Sequence, residues 1–271
     1  MRARVLDVHA DSDHNRSVFT LVAQEDDLLE ALVAGVAVAK ERIDLARHQG
    51  AHPRVGAADV VPVVPVQPQE LDRAKQAALA LAERIGGELS LPVFLYGELG
   101  SGRGPAFFRT GGLEGLRRRV ESGELEPEFG PSRLGERSGA VLVGARRALI
   151  AFNVNLHGEL TVARELASLV RERDGGFPGV RALGLDLPRA GLVQVSMNVE
   201  DWEAAALSDL VTTIEAEAAA RDAQVVGPEL VGLMPGGAAA AAAGAALRID
   251  GFDASRILEL RLLEEPDSDP A

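Results

Sequence analysis

Two short polar stretches carry the residue types that proton transfer needs. The first, Asp11-Ser12-Asp13-His14-Asn15-Arg16, alternates carboxylates with a histidine and an arginine. The second, His48-Gln49-Gly50-Ala51-His52-Pro53-Arg54-Val55-Gly56, holds two histidines four residues apart. On a helix that spacing would put both imidazoles on one face, but Gly50 and Pro53 disfavour a helix there. A helical zinc pair is therefore not expected. A histidine in a loop shaped by Gly and Pro suits general acid–base work, because its ordinary pKa lies near working pH. From this segment alone a surface-loop histidine is the alternative. The acidic loop likewise has two readings, a metal site or a polar hairpin turn.

Alternating strands and helices must position these loops. Val5 to His9 and Val18 to Val22 read as strands joined by the acidic loop. Leu28 to Arg47 has helical spacing, with Leu28, Leu32, Val36, Ala39 and Ile43 on one stripe. After the histidine loop come a strand over Val60 to Val66, a helix over Gln69 to Gly87 and a strand over Pro92 to Tyr96. Leu99 to Glu136 is rich in Gly, Arg and Glu, and its weak periodicity predicts a short helix near Leu113 to Val120 and then a long loop.

The second half is more regular. Strands are predicted over Ala148 to Leu156, Val180 to Leu187, Leu192 to Asn198 and Gln224 to Val231, with helices over Leu160 to Arg173 and Trp202 to Arg221. That β-α-β-β-α-β order is the ferredoxin-like split unit, and the first half reads as the same order without its opening strand and helix. The fold class expected is α+β or α/β, two ferredoxin-like subdomains with mixed sheets meeting near Gly144 to Leu149, and a ligand cleft between them. The boundaries expected are 1–147, 148–264 and a flexible tail, 265–271, where Pro, Asp and Ser dominate.

Bulk properties exclude several classes. The chain has 271 residues, no cysteine and a formal net charge of −13. Disulfides, thiolate metal sites and a cysteine nucleophile are impossible. The acidity argues against a nucleic-acid partner. No apolar run approaches the ~20 residues that span a bilayer, and the start lacks the apolar core of a secretory signal. A cytoplasmic protein without a membrane partner is expected. An acidic chain that binds polyanions must concentrate arginines locally.

The ordered motifs resemble glutamate formimidoyltransferases. The resemblance runs through Asp13-His14-Asn15-Arg16-Ser17-Val18, the stretch from Gly50-Ala51-His52-Pro53-Arg54 to Val60, and Pro92-Val93-Phe94-Leu95-Tyr96-Gly97-Glu98. It continues through Pro127-Glu128-Phe129-Gly130-Pro131-Ser132, Gly139 to Arg146, Leu149 to Leu156, Gln194 to Asn198 and Glu229 to Leu233. It implies two α/β subdomains, a folate tunnel between them and a homodimer. The family's catalytic histidine falls on His52. Its folate-binding segment falls on Gly130, Pro131, Ser132, Arg133, Leu134, Gly135, Glu136, Arg137, Ser138 and Gly139. Nothing here matches the family's opening strand and helix, so the chain is expected to start in the second strand. Where animal members carry an aspartate that assists the histidine, this chain has His9, with Asp11 and Asp13 close behind.

The implied reaction moves a formimino group from formiminoglutamate to tetrahydrofolate, the co-substrate, with no metal. His52 is the candidate acid–base, and Asp11 or Asp13 the carboxylate that orients it. Arg16 and Arg54 are candidate clamps for the formiminoglutamate carboxylates, and Arg133 and Arg137 for the folate tail. Asn153 and Asn155 share one side of a predicted strand and can hydrogen-bond a pterin edge or face solvent. Two other functions stay open: an altered paralogue that binds folate or another pteridine, and a non-enzymatic dimeric interaction module.

Overall fold

The apolar alternation along the early strands folds them into an antiparallel ribbon, β1 (Arg4–Asp11) and β2 (Arg16–Val22), with Asp11 opposite Arg16 at its turn. This computed structural model describes residues 3–258 and residue 260. The expected tail and the last residues before it lie outside the described residues. The chain divides into two compact units between Arg147 and Ala148.

In the first unit, β3 (Val60–Val63), β4 (Val93–Leu95) and β5 (Val141–Ala145) form a parallel sheet in the order β3-β5-β4. Parallel strands covered on both faces read as continuous apolar runs, and Val141, Leu142 and Val143 are fully buried. One face packs on α1 (Glu25–Arg42) and α2 (Leu71–Leu89), which bury Val33 and Val36, and Ala74, Ala78, Leu81 and Ile85, at helical spacing. The other face packs Phe94 and Leu142 against Phe108 of α3 (Pro105–Phe108) and Leu116 of α4 (Gly112–Glu121).

The second unit is the split β-α-β-β-α-β arrangement. Strands β6 (Ile150–His157), β7 (Val180–Leu187), β8 (Leu192–Val199) and β9 (Gln224–Val231) form one antiparallel sheet, ordered β7-β8-β6-β9. Alternate residues of β6 (Ile150, Phe152, Val154 and Leu156) pack under α5 (Leu160–Val170) and α6 (Leu207–Ala219). Together the units are an α+β architecture of parallel and antiparallel sheets.

Four details depart from the sequence expectations. The first helix ends at Arg42, and Asp44 then caps a 3-10 turn by accepting the Ala46 N–H at 3.1 Å. Helix α6 starts at Leu207, because Asp201 takes the Ala204 and Ala205 N–H groups into a preceding turn. The central strand β5, five residues in the wake of a glycine-rich stretch, has no counterpart among the expected strands. The alanine run forms α7 (Gly236–Leu247), started after Pro235. Among the described residues no helix is long and apolar enough to cross a membrane.

Candidate active site

The β1–β2 turn and the 48–56 loop interlock through their backbones. Asp11 Oδ1 accepts the His14 N–H at 2.6 Å, a local side-chain bond that tightens the ribbon tip. Asn15 takes the left-handed conformation, φ 46°, that asparagine tolerates, and its Nδ2 donates to the Gln49 carbonyl at 2.7 Å. The Ala51 N–H donates to the Asp13 carbonyl at 2.9 Å, and His48 Nε2 donates to the Asn15 carbonyl at 2.7 Å. A Cβ at Gly50 would lie 2.2 Å from the His14 oxygen, so only glycine fits this approach.

The far side of the loop is held as closely. Ala140 N–H donates to the Val55 carbonyl and Ala57 N–H to the Ser138 carbonyl, both at 2.9 Å. A Cβ at Gly56 would fall 1.8 Å from the Ala140 oxygen, and one at Gly139 2.0 Å from the Val55 oxygen. Thus the 138–139 end of the expected folate segment abuts the histidine loop. Its other end is fixed elsewhere: Val93 pairs with Phe129, and Gly130 lies against Leu91 and Gly86. Between these anchors Leu134 is buried, while Pro131, Ser132, Arg133, Gly135, Glu136 and Arg137 are exposed. Arg137 pairs with Asp44 at 3.3 Å.

At the centre sits His52, half-buried. Its Nδ1 is 2.8 Å from the Pro53 carbonyl, which can only accept, so Nδ1 carries the proton and Nε2 the lone pair. Arg16 Nη1 lies 2.7 Å from that Nε2 and 3.1 Å from Nδ1. The His14 ring is stacked obliquely nearby, its centroid 5.9 Å away, and His14 is only 8% exposed. Burial first, then the Arg16, Arg109 and His14 charges, push the His52 pKa down to about 2; the Pro53 hydrogen bond opposes them weakly. His52 is a neutral imidazole throughout the physiological range.

The surrounding arginines differ in their ties. Arg109 pairs with Asp59 Oδ2, and Asp59 Oδ1 accepts the Val55 N–H at 2.7 Å. Arg109 Nε is buried and has no hydrogen-bond partner among the described residues. Arg54 donates to the carbonyls of His48, Gly50 and His52, so its guanidinium braces the loop from within. Among the described residues Arg16 has no carboxylate partner: its hydrogen bonds go to His52. Burial and the Arg109 charge pull its pKa below the ordinary value, with Asp59 acting against them. Three arginines gather beside Asp59 here, within a chain of net charge −13.

Among the described residues, the hydrogen bonds of the His52 ring do not include the expected carboxylate. His52 bonds to a carbonyl and a guanidinium, and Asp11 is engaged with the His14 amide. Arg109 and Asp59 are the residues that sequence reasoning missed. They lie 50 residues apart, and Arg109 follows a four-residue helix in an aperiodic stretch. Among the described residues no group of three or more metal-ligating side chains is assembled.

The second unit carries a separate polar cluster on the sheet face opposite α5 and α6. Asn153 and Asn155 of β6, Gln194 of β8 and Glu229 of β9 meet there by register. Asn153 Nδ2 and Gln194 Nε2 both donate to Glu229 Oε2 at 3.2 Å, and Gln194 Nε2 also reaches Asn155 Oδ1 at 2.8 Å. Gln194 is 1% and Asn153 4% exposed, whereas Asn155 and Glu229 are half-buried.

Comparison with known proteins adds the chain's relations. Residues 1–146 match the formiminotransferase domain, N-terminal subdomain, and residues 151–250 match the formiminotransferase domain. The chain is 36% identical over 265 residues to a glutamate formimidoyltransferase of Thermoplasma acidophilum, an alignment spanning 96% of this chain and 87% of that one. It is 36% identical to a glutamate formimidoyltransferase of Streptococcus pyogenes, over 96% and 88% of the two chains. Formimidoyltransferase-cyclodeaminase of Rattus norvegicus is 38% identical over 240 residues, 85% of this chain and 44% of that protein.

Proposed function

The chain belongs to the formiminotransferase family, and from that premise we propose that it transfers the formimino group of N-formimino-L-glutamate to tetrahydrofolate. The observation that carries the reading is the His52–Arg16 pair: a neutral base with its lone pair on Nε2, 2.7 Å from a guanidinium that has no carboxylate partner among the described residues.

The chemistry asks one group to take a proton from an amine that becomes acylated and return it to an amine that leaves. Tetrahydrofolate supplies the accepting secondary amine. His52 Nε2 accepts the proton released as the new C–N bond forms, then delivers it to the glutamate nitrogen as the old C–N bond breaks. The ring ends neutral, as it began. Such acid–base work contributes ~10²–10⁴-fold. Its Nδ1–H on the Pro53 carbonyl holds the tautomer, the task for which a carboxylate was expected. Arg16 takes a formiminoglutamate carboxylate through paired charge-assisted hydrogen bonds, while Arg54 keeps the loop in shape rather than reaching for substrate.

The residues present fit a flat, hydrogen-bonding heterocycle. The Asn153–Asn155–Gln194–Glu229 face offers amide donors and acceptors beside a carboxylate, and a pterin presents adjacent N–H donors that a carboxylate accepts in pairs. The exposed 131–137 stretch, with Arg133 and Arg137, suits the anionic folate tail.

The test is an assay of the purified chain with formiminoglutamate and tetrahydrofolate, following the 5-formimino product and glutamate together, beside His52→Ala. Stoichiometric release by wild type and a loss of ~10²-fold or more in the variant is the expected result. Wild type that binds folate and releases no glutamate would overturn the proposed transfer.

A further inference from the structure

We propose that Arg16 is a latch on His52, which the carboxylate of the incoming amino-acid substrate withdraws, so that the base is freed only when that substrate is bound. This rests on the reading above and adds a role for Arg16 beyond holding the substrate.

The geometry gives the latch its two states. In the free chain Arg16 Nη1 faces both ring nitrogens of His52, at 2.7 and 3.1 Å. A group that near to both nitrogens lies over the ring, so its charge sits beside Nε2, the one site at which the ring could take a proton, since Nδ1 donates to Pro53. A guanidinium beside an imidazole also opposes any positive charge on that ring. Yet a neutral nitrogen is a poor partner for Arg16. Hydrogen bonds to an ionised acceptor are roughly twice as strong as neutral ones, and the planar fork matches a carboxylate in a bidentate way.

The patch around it favours the exchange. Asp59, the carboxylate whose charge reaches Arg16, is already held by Arg109 and by the Val55 N–H. An external carboxylate therefore competes with the imidazole for Arg16, whose hydrogen bonds among the described residues go to His52. Once it binds, the Arg16 charge is neutralised and drawn off the ring, so the proton affinity of His52 rises. The other groups acting on the ring, His14 from the ribbon turn and Arg109 from beyond α3, stay in place and keep the rise partial. Arg54, whose Nη1 donates to the His52 carbonyl, stays in the loop as well. In effect the amine is deprotonated only where a donor molecule waits to be attacked.

The experiment is a proton-affinity measurement that needs no turnover. Imidazole NMR signals are followed against pH in the full chain, with His52 assigned by its loss in His52→Gln. Spectra are taken free, and saturated with N-formimino-L-glutamate or with L-glutamate. In the free chain His52 stays neutral to below pH 4. With either ligand its proton affinity rises at least tenfold. Arg16→Gln raises it at least tenfold without ligand and abolishes the ligand response. Arg16→Lys, which keeps the charge and loses the fork, retains the low affinity and responds weakly. An unchanged His52 titration in ligand-saturated wild type overturns the latch, and so does an Arg16→Gln protein that titrates like wild type. If the ligand moves His52 and no formimino transfer is found, the proposed reaction fails while the latch stands. If transfer proceeds and the His52 titration does not move, the reaction stands and the latch fails.

Discussion

The two units build polar clusters by different means. In the first, charged side chains of the β1–β2 turn, the 48–56 loop and the segment after α3 converge through loop geometry, and the result is a base with a displaced pKa. In the second, neutral amides and one carboxylate line up because adjacent strands place Asn153 opposite both Ser196 and Glu229. Loops can aim a guanidinium at an imidazole with the flexibility of two turns, whereas a sheet fixes donors and acceptors at a repeat that cannot slip without turning every side chain over. Under the proposed function the contrast separates reaction from recognition, with proton transfer assigned to the loop cluster and binding of a flat edge to the strand cluster.

The sharpest way to break this contrast is His52→Ala. Turnover should fall ~10²–10⁴-fold with folate binding intact; an equal loss of folate affinity, read by titration calorimetry, would merge the two roles. Next is Gly56→Ala. Its Cβ would meet the Ala140 oxygen at 1.8 Å, and forcing the strand and loop apart should destabilise the chain by about 1–3 kcal/mol, visible as a lower melting temperature. A melt unchanged from wild type would mean that the loop is not locked where it lies.

The third change, Glu229→Gln, belongs to the other cluster. It should weaken folate about tenfold, since a hydrogen bond to a charged group is worth about 1.5–3 kcal/mol, and leave the His52 titration alone. A shifted His52 signal in that variant would couple the clusters. The last effect is on acid stability. His52 keeps a pKa of about 2 when folded, against 6.5 ordinarily. Below pH 6.5 the unfolded chain therefore binds a proton that the folded chain does not, and stability falls as pH drops, by at most about 1.4 kcal/mol per pH unit from this group. In His52→Gln, denaturant midpoints between pH 6.5 and 4 should fall less steeply; equal slopes would contradict the buried neutral ring.

Much of the fold is legible from residue order. The second unit is open to reading because its strands alternate strictly and its helices repeat at 3.6, so each element announces its buried face. β5 is not, since five apolar residues between glycine-rich turns resemble a loop until two neighbours claim both edges. At the site, the histidine in its Gly/Pro loop stands out by type and spacing. Its partners do not. A carboxylate is the common orienter and so the one to expect behind the ring, but Pro53, the next residue, supplies a carbonyl that leaves no mark in the sequence. Arg109 and Asp59 meet through tertiary packing across 50 residues, and no local pattern encodes that.

The interlock of Gly50, Gly56 and Gly139 has a consequence for anyone charting tolerance across this chain. In a scan of every substitution, these three positions would score as intolerant as the imidazole itself, although none carries a functional atom. Each faces a carbonyl oxygen on a different strand of backbone, so no single replacement relieves the collision. A map of sensitive sites would then draw a ring of silent positions around one chemical one. A melting curve beside the proton titration of His52 would tell them apart.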